Sequence, residues 1–136
     1  MIRQILIVDD DRDFAEACCN FLEAAGYDVT YETEEKQVIE KIRSQPPDLI
    51  LLDVMMEQKD SGFRLAETLN SDQALKNIPV IFLTGYFKKT EPGEKEQLAK
   101  KWSNIYAILD KPVRPAILLD VIKKAEQSVK KTEPPV

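Results

Sequence analysis

Asp48-Leu49-Ile50-Leu51-Leu52-Asp53 places four aliphatic residues in a row between two carboxylates, with Pro46 and Pro47 directly before them. A run that short and that apolar suits a strand covered on both faces, the parallel-sheet pattern, better than the alternating strand of a half-wet sheet. The two prolines end any helix that precedes it. Asp53 then stands where the strand leaves the sheet. In open parallel α/β sheets ligands bind in the crevice beyond the carboxyl ends of the strands, which makes that carboxylate a candidate site residue.

Working outward, Gln4 to Val8 is a second buried-type strand, and it runs straight into Asp9, Asp10 and Asp11. Asp13 with Glu16 three residues later has capping-box spacing, and Phe14, Ala17, Cys18, Phe21, Leu22 and Ala25 recur at helical intervals until Gly26. Tyr27 to Tyr31 reads as a short strand. Thr33 can cap a helix bearing Val38, Ile39 and Ile42. After Asp53, a loop through Ser61 and Gly62 leads into a helix with Phe63, Leu65, Ala66 and Leu69, and Asn70 to Asn77 reads as a frayed helix end or an extra turn. Pro79 to Leu83 is a fourth strand that delivers Thr84 and Gly85. Leu98, Ala99 and Trp102 outline a weakly amphipathic, lysine-rich helix. Ile105 to Leu109 is a fifth strand, followed by Lys111-Pro112, and a last helix starts near Arg114-Pro115 with Leu118, Val121, Ile122 and Ala125 on one face. Five β-α units in alternation predict a doubly wound, five-stranded parallel sheet with helices on both faces and right-handed crossovers.

At 136 residues the chain fits one domain, expected over residues 1–129, with 130–136 as a tail or the start of a linker. No apolar run approaches the roughly 20 residues that span a bilayer, and Met1 to Asp10 does not read as a signal peptide, so a cytoplasmic location away from membranes is expected. Cys18 and Cys19 are helix neighbours pointing in different directions and are expected to remain free thiols. The net charge of -5 argues against direct nucleic-acid binding, which needs a positive surface. There is no histidine. That excludes Ser-His-Asp and Cys-His nucleophile systems, imidazole metal sites and a phosphohistidine-carrier role, and leaves carboxylates, hydroxyls, lysines and hard cations as the available chemistry.

The predicted sheet brings Asp9, Asp10, Asp53, Thr84 and Lys111 to one edge, each beyond the carboxyl end of a strand. Singly, each has a plain explanation: an acid after a strand is most often a helix cap, a threonine a turn residue, a Lys-Pro pair a strand exit. Together, in this order, they do not reduce to caps and turns. Three clustered acids repel unless a cation is supplied, and an all-oxygen set of few protein ligands suits Mg²⁺. Lys111 and the Thr84 hydroxyl then suit phosphoryl oxygens, and Asp53 can attack phosphorus in line to give an aspartyl phosphate.

Ile-Leu-Ile-Val-Asp-Asp-Asp at 5–11, Leu-Leu-Asp-Val-Met-Met at 51–56, Val-Ile-Phe-Leu-Thr-Gly at 80–85 and Lys-Pro-Val at 111–113 make the chain resemble, from residue 3 to about 128, the receiver domains of two-component response regulators. The resemblance implies a flavodoxin-like fold with strand order 2-1-3-4-5 and a signalling domain that is not an enzyme toward other substrates. It implies Asp53 as phosphoacceptor, Mg²⁺ on Asp9, Asp10, Asp53 and the Met55 backbone carbonyl, and Thr84 and Lys111 on the phosphoryl group. The phosphoryl donor it implies is a sensor histidine kinase or a histidine phosphotransfer protein. It also implies an output partner or an effector domain beyond this segment, and admits a homodimer through the last two helical faces. The chain departs from the family pattern in three places. Glu57 stands where proline is usual, in a loop one residue longer than usual; the Thr84 to Lys111 interval is several residues longer; and Ile108 replaces the aromatic residue often found three positions before the lysine, with Tyr106 two positions earlier. An alternative of another class is a haloacid dehalogenase-type phosphatase with Asp9 as nucleophile and Asp11 as acid/base, in which Asp53 would have no role.

Overall fold

The computed structural model describes residues 2–53, 61–84, 104–111 and 113–132, with backbone only at 61–63, 84 and 128–132. Five strands, β1 Gln4–Val8, β2 Asp28–Glu32, β3 Leu49–Leu52, β4 Val80–Thr84 and β5 Ile105–Asp110, form one parallel sheet in the expected order β2-β1-β3-β4-β5. The described helices are α1 Arg12–Ala24, α2 Glu35–Ser44, α3 Ser61–Ser71 and α4 Pro115–Thr132. The expected helix around Leu98 to Trp102 and the Asp53 to Gly62 loop from Val54 to Asp60 lie outside the described residues, as do Met55 and Glu57.

The continuous aliphatic strands are explained by the two cores they face. Leu6, Val8, Ile50, Leu52, Val80 and Phe82 pack with Val38 and Ile42 of α2 and Leu65, Ala66 and Leu69 of α3. The alternate residues Ile5, Ile7, Leu49, Leu51, Ile81 and Leu83 pack with Ala15, Cys19 and Leu22 of α1 and Leu118, Ile122 and Ala125 of α4. Successive side chains of a strand point to opposite faces, so a strand needs apolar residues at every position only when both faces are covered. Each fully buried Leu, Ile or Phe contributes about 1.5–3 kcal/mol relative to exposure. β3, all four residues of which are buried, lies at the centre.

Several local expectations are corrected. The N-cap of α1 is Asp11, whose side chain accepts the Phe14 N–H, and Asp13 is an ordinary acid of the first turn. On α1, Ala15, Cys19 and Leu22 are enclosed, the expected Phe14, Cys18 and Phe21 flank them, and Ala17 and Ala25, also expected on that face, are exposed. α2 starts after Glu34 without a side-chain cap, so Thr33 is not its cap; the Thr33 N–H donates to the Glu32 carboxylate instead. The turn after α3 is held by Asp72, whose carboxylate accepts the Ala74 N–H at 2.8 Å, and it seats Leu75 in the core. Gly26 ends α1 with φ of 103°, a conformation that favours glycine. α4 is helical in backbone to Thr132. Both cysteines are free, and burial pushes the Cys19 thiol up to about 11.

β5 carries an irregularity that its sequence does not announce. Val80 pairs with Ile105 but Ile81 pairs with Ala107, so Tyr106 is an extra residue in β5 and is 39% exposed. A bulge of this kind leaves one residue out of the alternation and re-aims the strand beyond it. Ile108 thereby packs on the α2–α3 face, while Ala107 and Leu109 pack on the α1–α4 face.

Candidate functional site

The registers Val8↔Leu52 and Val8↔Glu32 set the ends of β1, β2 and β3 level, so Asp9 and Asp53 emerge side by side. Both are held by the ladder itself: the Asp9 N–H donates to the Glu32 carbonyl at 3.1 Å and the Asp53 N–H to the Val8 carbonyl at 2.9 Å. Asp9 and Asp53 are only 2% and 6% exposed, whereas Asp10 faces solvent. Carboxylate oxygens of the three approach within 4.8 Å of one another.

Lys111, following β5, reaches back over this cluster. Its Nζ donates to Asp9 Oδ2 at 2.6 Å and to Asp53 Oδ2 at 3.4 Å. The other Asp9 oxygen accepts the Asp11 N–H at 2.9 Å, so the residue that caps α1 also orients the first acid. Burial by itself would lower the Lys111 pKa. The hydrogen bond and charge of Asp9, followed by the charge and hydrogen bond of Asp53, more than reverse this and leave it raised. For Asp10, burial and then the charge of Asp9 outweigh the attraction of Lys111, and its pKa is raised.

The chemistry of this donor set fits a hard divalent cation. Three carboxylates offer only oxygen, two of them are buried and already positioned, and Asp10 keeps one side open to water, as Mg²⁺ with its retained waters requires. Oxygens on opposite sides of such an ion are about 4.2 Å apart, so a spread within 4.8 Å needs only a small closure. One lysine against three acids leaves the site anionic and suited to a cation.

Of the residues singled out by sequence, Asp9, Asp10, Asp53 and Lys111 converge. Thr84 ends β4 opposite Asp110 of β5, which brings its backbone to the same edge; its side chain lies outside the described residues. A residue the sequence reading did not single out for the site is Phe14, whose ring centroid lies 4.1 Å from Lys111 Nζ. Its signal was present: helical side chains lean toward the N-terminus, so an aromatic in the first turn after the acids is aimed back at them.

A buried pair of carboxylates bridged by lysine at the carboxyl edge of a 2-1-3-4-5 parallel sheet defines a receiver-type signalling domain. The response regulator receiver domain family matches residues 5–123, and the chain belongs to that family, a component of two-component signalling. Among its relatives, the polar-differentiation response regulator DivK of Brucella ovis is 27% identical over 123 residues, covering 90% of this chain and 95% of that protein. The crystal structure of a CheY-like response regulator receiver domain protein from Methanospirillum hungatei superposes with a TM-score of 0.78 at 25% identity, covering 98% of this chain and 100% of that one. The receiver domain of a signal transduction histidine kinase from Syntrophus aciditrophicus gives 0.79 at 28% identity, covering 98% and 97%. The phosphatase alternative is set aside by this membership. The geometry agrees, since the Asp11 carboxylate caps α1 and Asp53 belongs to the cluster.

Proposed function

We propose that the chain accepts a phosphoryl group on Asp53 and uses the resulting charge to switch a partner-binding surface. The observation that carries this reading is the convergence of Lys111 on Asp9 and Asp53 at 2.6 and 3.4 Å, a cation placed between two buried carboxylates from different strands. Asp9, Asp10 and Asp53, with the Met55 backbone carbonyl, would hold Mg²⁺, which when bound neutralises charge on the phosphoryl oxygens. An Asp53 oxygen forms the bond to phosphorus as the phosphorus–nitrogen bond of a donor phosphohistidine breaks; the electron pair stays on the imidazole nitrogen, which takes up a proton. Lys111 turns from Asp9 toward a phosphoryl oxygen, and the Thr84 hydroxyl donates to another. The donor is a sensor histidine kinase or a histidine phosphotransfer protein, residues 1–129 act as the receiver unit, and the setting is cytoplasmic. Among the described residues no helix is long and apolar enough to cross a membrane.

Acetyl phosphate or beryllofluoride with Mg²⁺, followed by intact-mass spectrometry, tests the reading. Wild type should gain one adduct, Asp53→Asn none, and Asp9→Asn much less than wild type. Labelling of Asp53→Asn at the wild-type level would overturn it.

A further inference from the structure

We infer that Phe14 is a positioning residue for Lys111, its ring holding the ammonium group beside Asp53; this deepens the phosphoacceptor reading and rests on it. The ring centroid is 4.1 Å from Nζ, inside the range in which an aromatic face attracts a cation. An ammonium group has three protons to place. Two face Asp9 and Asp53, and the ring meets the same group from α1. The backbone that carries the ring is anchored to the same acids. The Phe14 N–H donates to Asp11 Oδ1 at 3.2 Å and the Asp11 N–H to Asp9 Oδ1 at 2.9 Å, so Asp9, Asp11, Phe14 and Lys111 form a ring of contacts that closes on Asp9.

The need for such a hold follows from the double duty of Asp9. Its carboxylate is the shorter of the two Lys111 bonds and also one of the three acids grouped to receive a cation. An Asp9 oxygen turned to a divalent ion is lost to Lys111, and like charges then drive the ammonium away. Lysine has a flexible four-carbon stem and little reason of its own to stay. The face of Phe14 is not competed for by the ion. It keeps the ammonium on the Asp53 side, where a phosphoryl oxygen would arrive, while a leucine in its place would fill similar apolar space without that attraction.

The test compares the wild-type chain, Phe14→Leu, Phe14→Tyr, Lys111→Met and the double variant Phe14→Leu/Lys111→Met. NMR without added metal should show the Lys111 ε-methylene protons shifted by the ring in wild type and Phe14→Tyr and unshifted in Phe14→Leu; an unshifted wild type overturns the contact. Beryllofluoride affinity in Mg²⁺ should fall roughly 3- to 30-fold in Phe14→Leu and be retained in Phe14→Tyr. In the Lys111→Met background Phe14→Leu should cost nothing further; an equal loss there means that Phe14 is only core and overturns the proposal. Wild type that takes up no beryllofluoride while keeping the ring shift overturns the phosphoacceptor reading, and Phe14→Leu that binds it as wild type does overturns the role of Phe14 alone.

Discussion

Asp48 and Asp53 bracket the same strand, and they differ in what satisfies them. Asp48 is exposed at the start of β3, and its Oδ2 accepts the N–H groups of Arg3 and Gln4, each at 2.9 Å. Its own N–H donates to the Gln4 carbonyl at 2.8 Å. That carboxylate ties the start of β3 to the start of β1. Asp53 is buried at the other end, beside two further acids and a lysine whose bonds are shared between Asp9 and Asp53. A carboxylate held by fixed backbone N–H groups is part of the scaffold. One that shares a side-chain cation with neighbouring acids can give up that cation to them.

The largest contrast is in labelling. Asp53→Asn should abolish phosphoryl or beryllofluoride uptake, and Asp48→Asn should leave it intact, as read by intact mass; equal loss in both would erase the distinction. Next comes Lys111→Met, which leaves buried acids without their cation and should cost about 2–3 kcal/mol of stability at neutral pH. Added Mg²⁺ should narrow that gap in urea denaturation, because ligand that binds only the folded state stabilises it. A gap insensitive to Mg²⁺ would mean the acids are not its site. Asp48→Ala should cost less, about 1–2 kcal/mol, since the two N–H groups it leaves lie at the exposed end of the sheet. That loss should be independent of Mg²⁺.

The smallest effects are pH-dependent. The folded-state pKa of Asp10 is raised, so the fold favours its protonated form. Its contribution is present below the ordinary value of 3.8 and is lost as pH rises through the folded pKa, leaving ionised Asp10 a slight burden at pH 7. Asp10→Asn should therefore stabilise the metal-free protein by no more than about 0.5 kcal/mol after solvent screening, and the gain should vanish on acidification. Mg²⁺ should reverse the order of the two proteins. Lys111, also raised, contributes stability below its ordinary 10.5 that is lost as pH climbs through the folded value, so the wild-type advantage over Lys111→Met should shrink in strong alkali.

The parts of the molecule that were legible from sequence are those where one physical demand dominates. β1 and β3 had to be continuous aliphatic strands because both faces are covered, and their boundaries follow from where the apolar run meets acids. Helix starts were less legible. Asp9, Asp10, Asp11 and Asp13 are all competent caps, and which one serves depends on where β1 ends and the backbone turns. The bulge at Tyr106 was hidden because a parallel β5 with one inserted residue has the same composition as a regular one. For the site, Asp9, Asp10, Asp53 and Lys111 were legible as a set because each follows a recognisable strand. Phe14 was legible only as a first-turn aromatic leaning toward the acids; its partner, Lys111, lies 97 residues away in sequence, and only the fold brings them together.

The amino-acid sequence by itself determined that this chain makes a doubly wound parallel sheet and that its acids and a lysine gather at one edge of it, because uninterrupted aliphatic runs can be buried in few other ways. The tertiary structure decided the pairing within that edge. Register set Asp9 level with Asp53, and the strand exit of β5 let Lys111 reach Asp9 at 2.6 Å and Asp53 at 3.4 Å. The first turn of α1 laid Phe14 against the same ammonium. Those distances depend on how separate elements pack, and hydrogen bonds and ion pairs respond to tenths of an ångström that no residue pattern encodes locally.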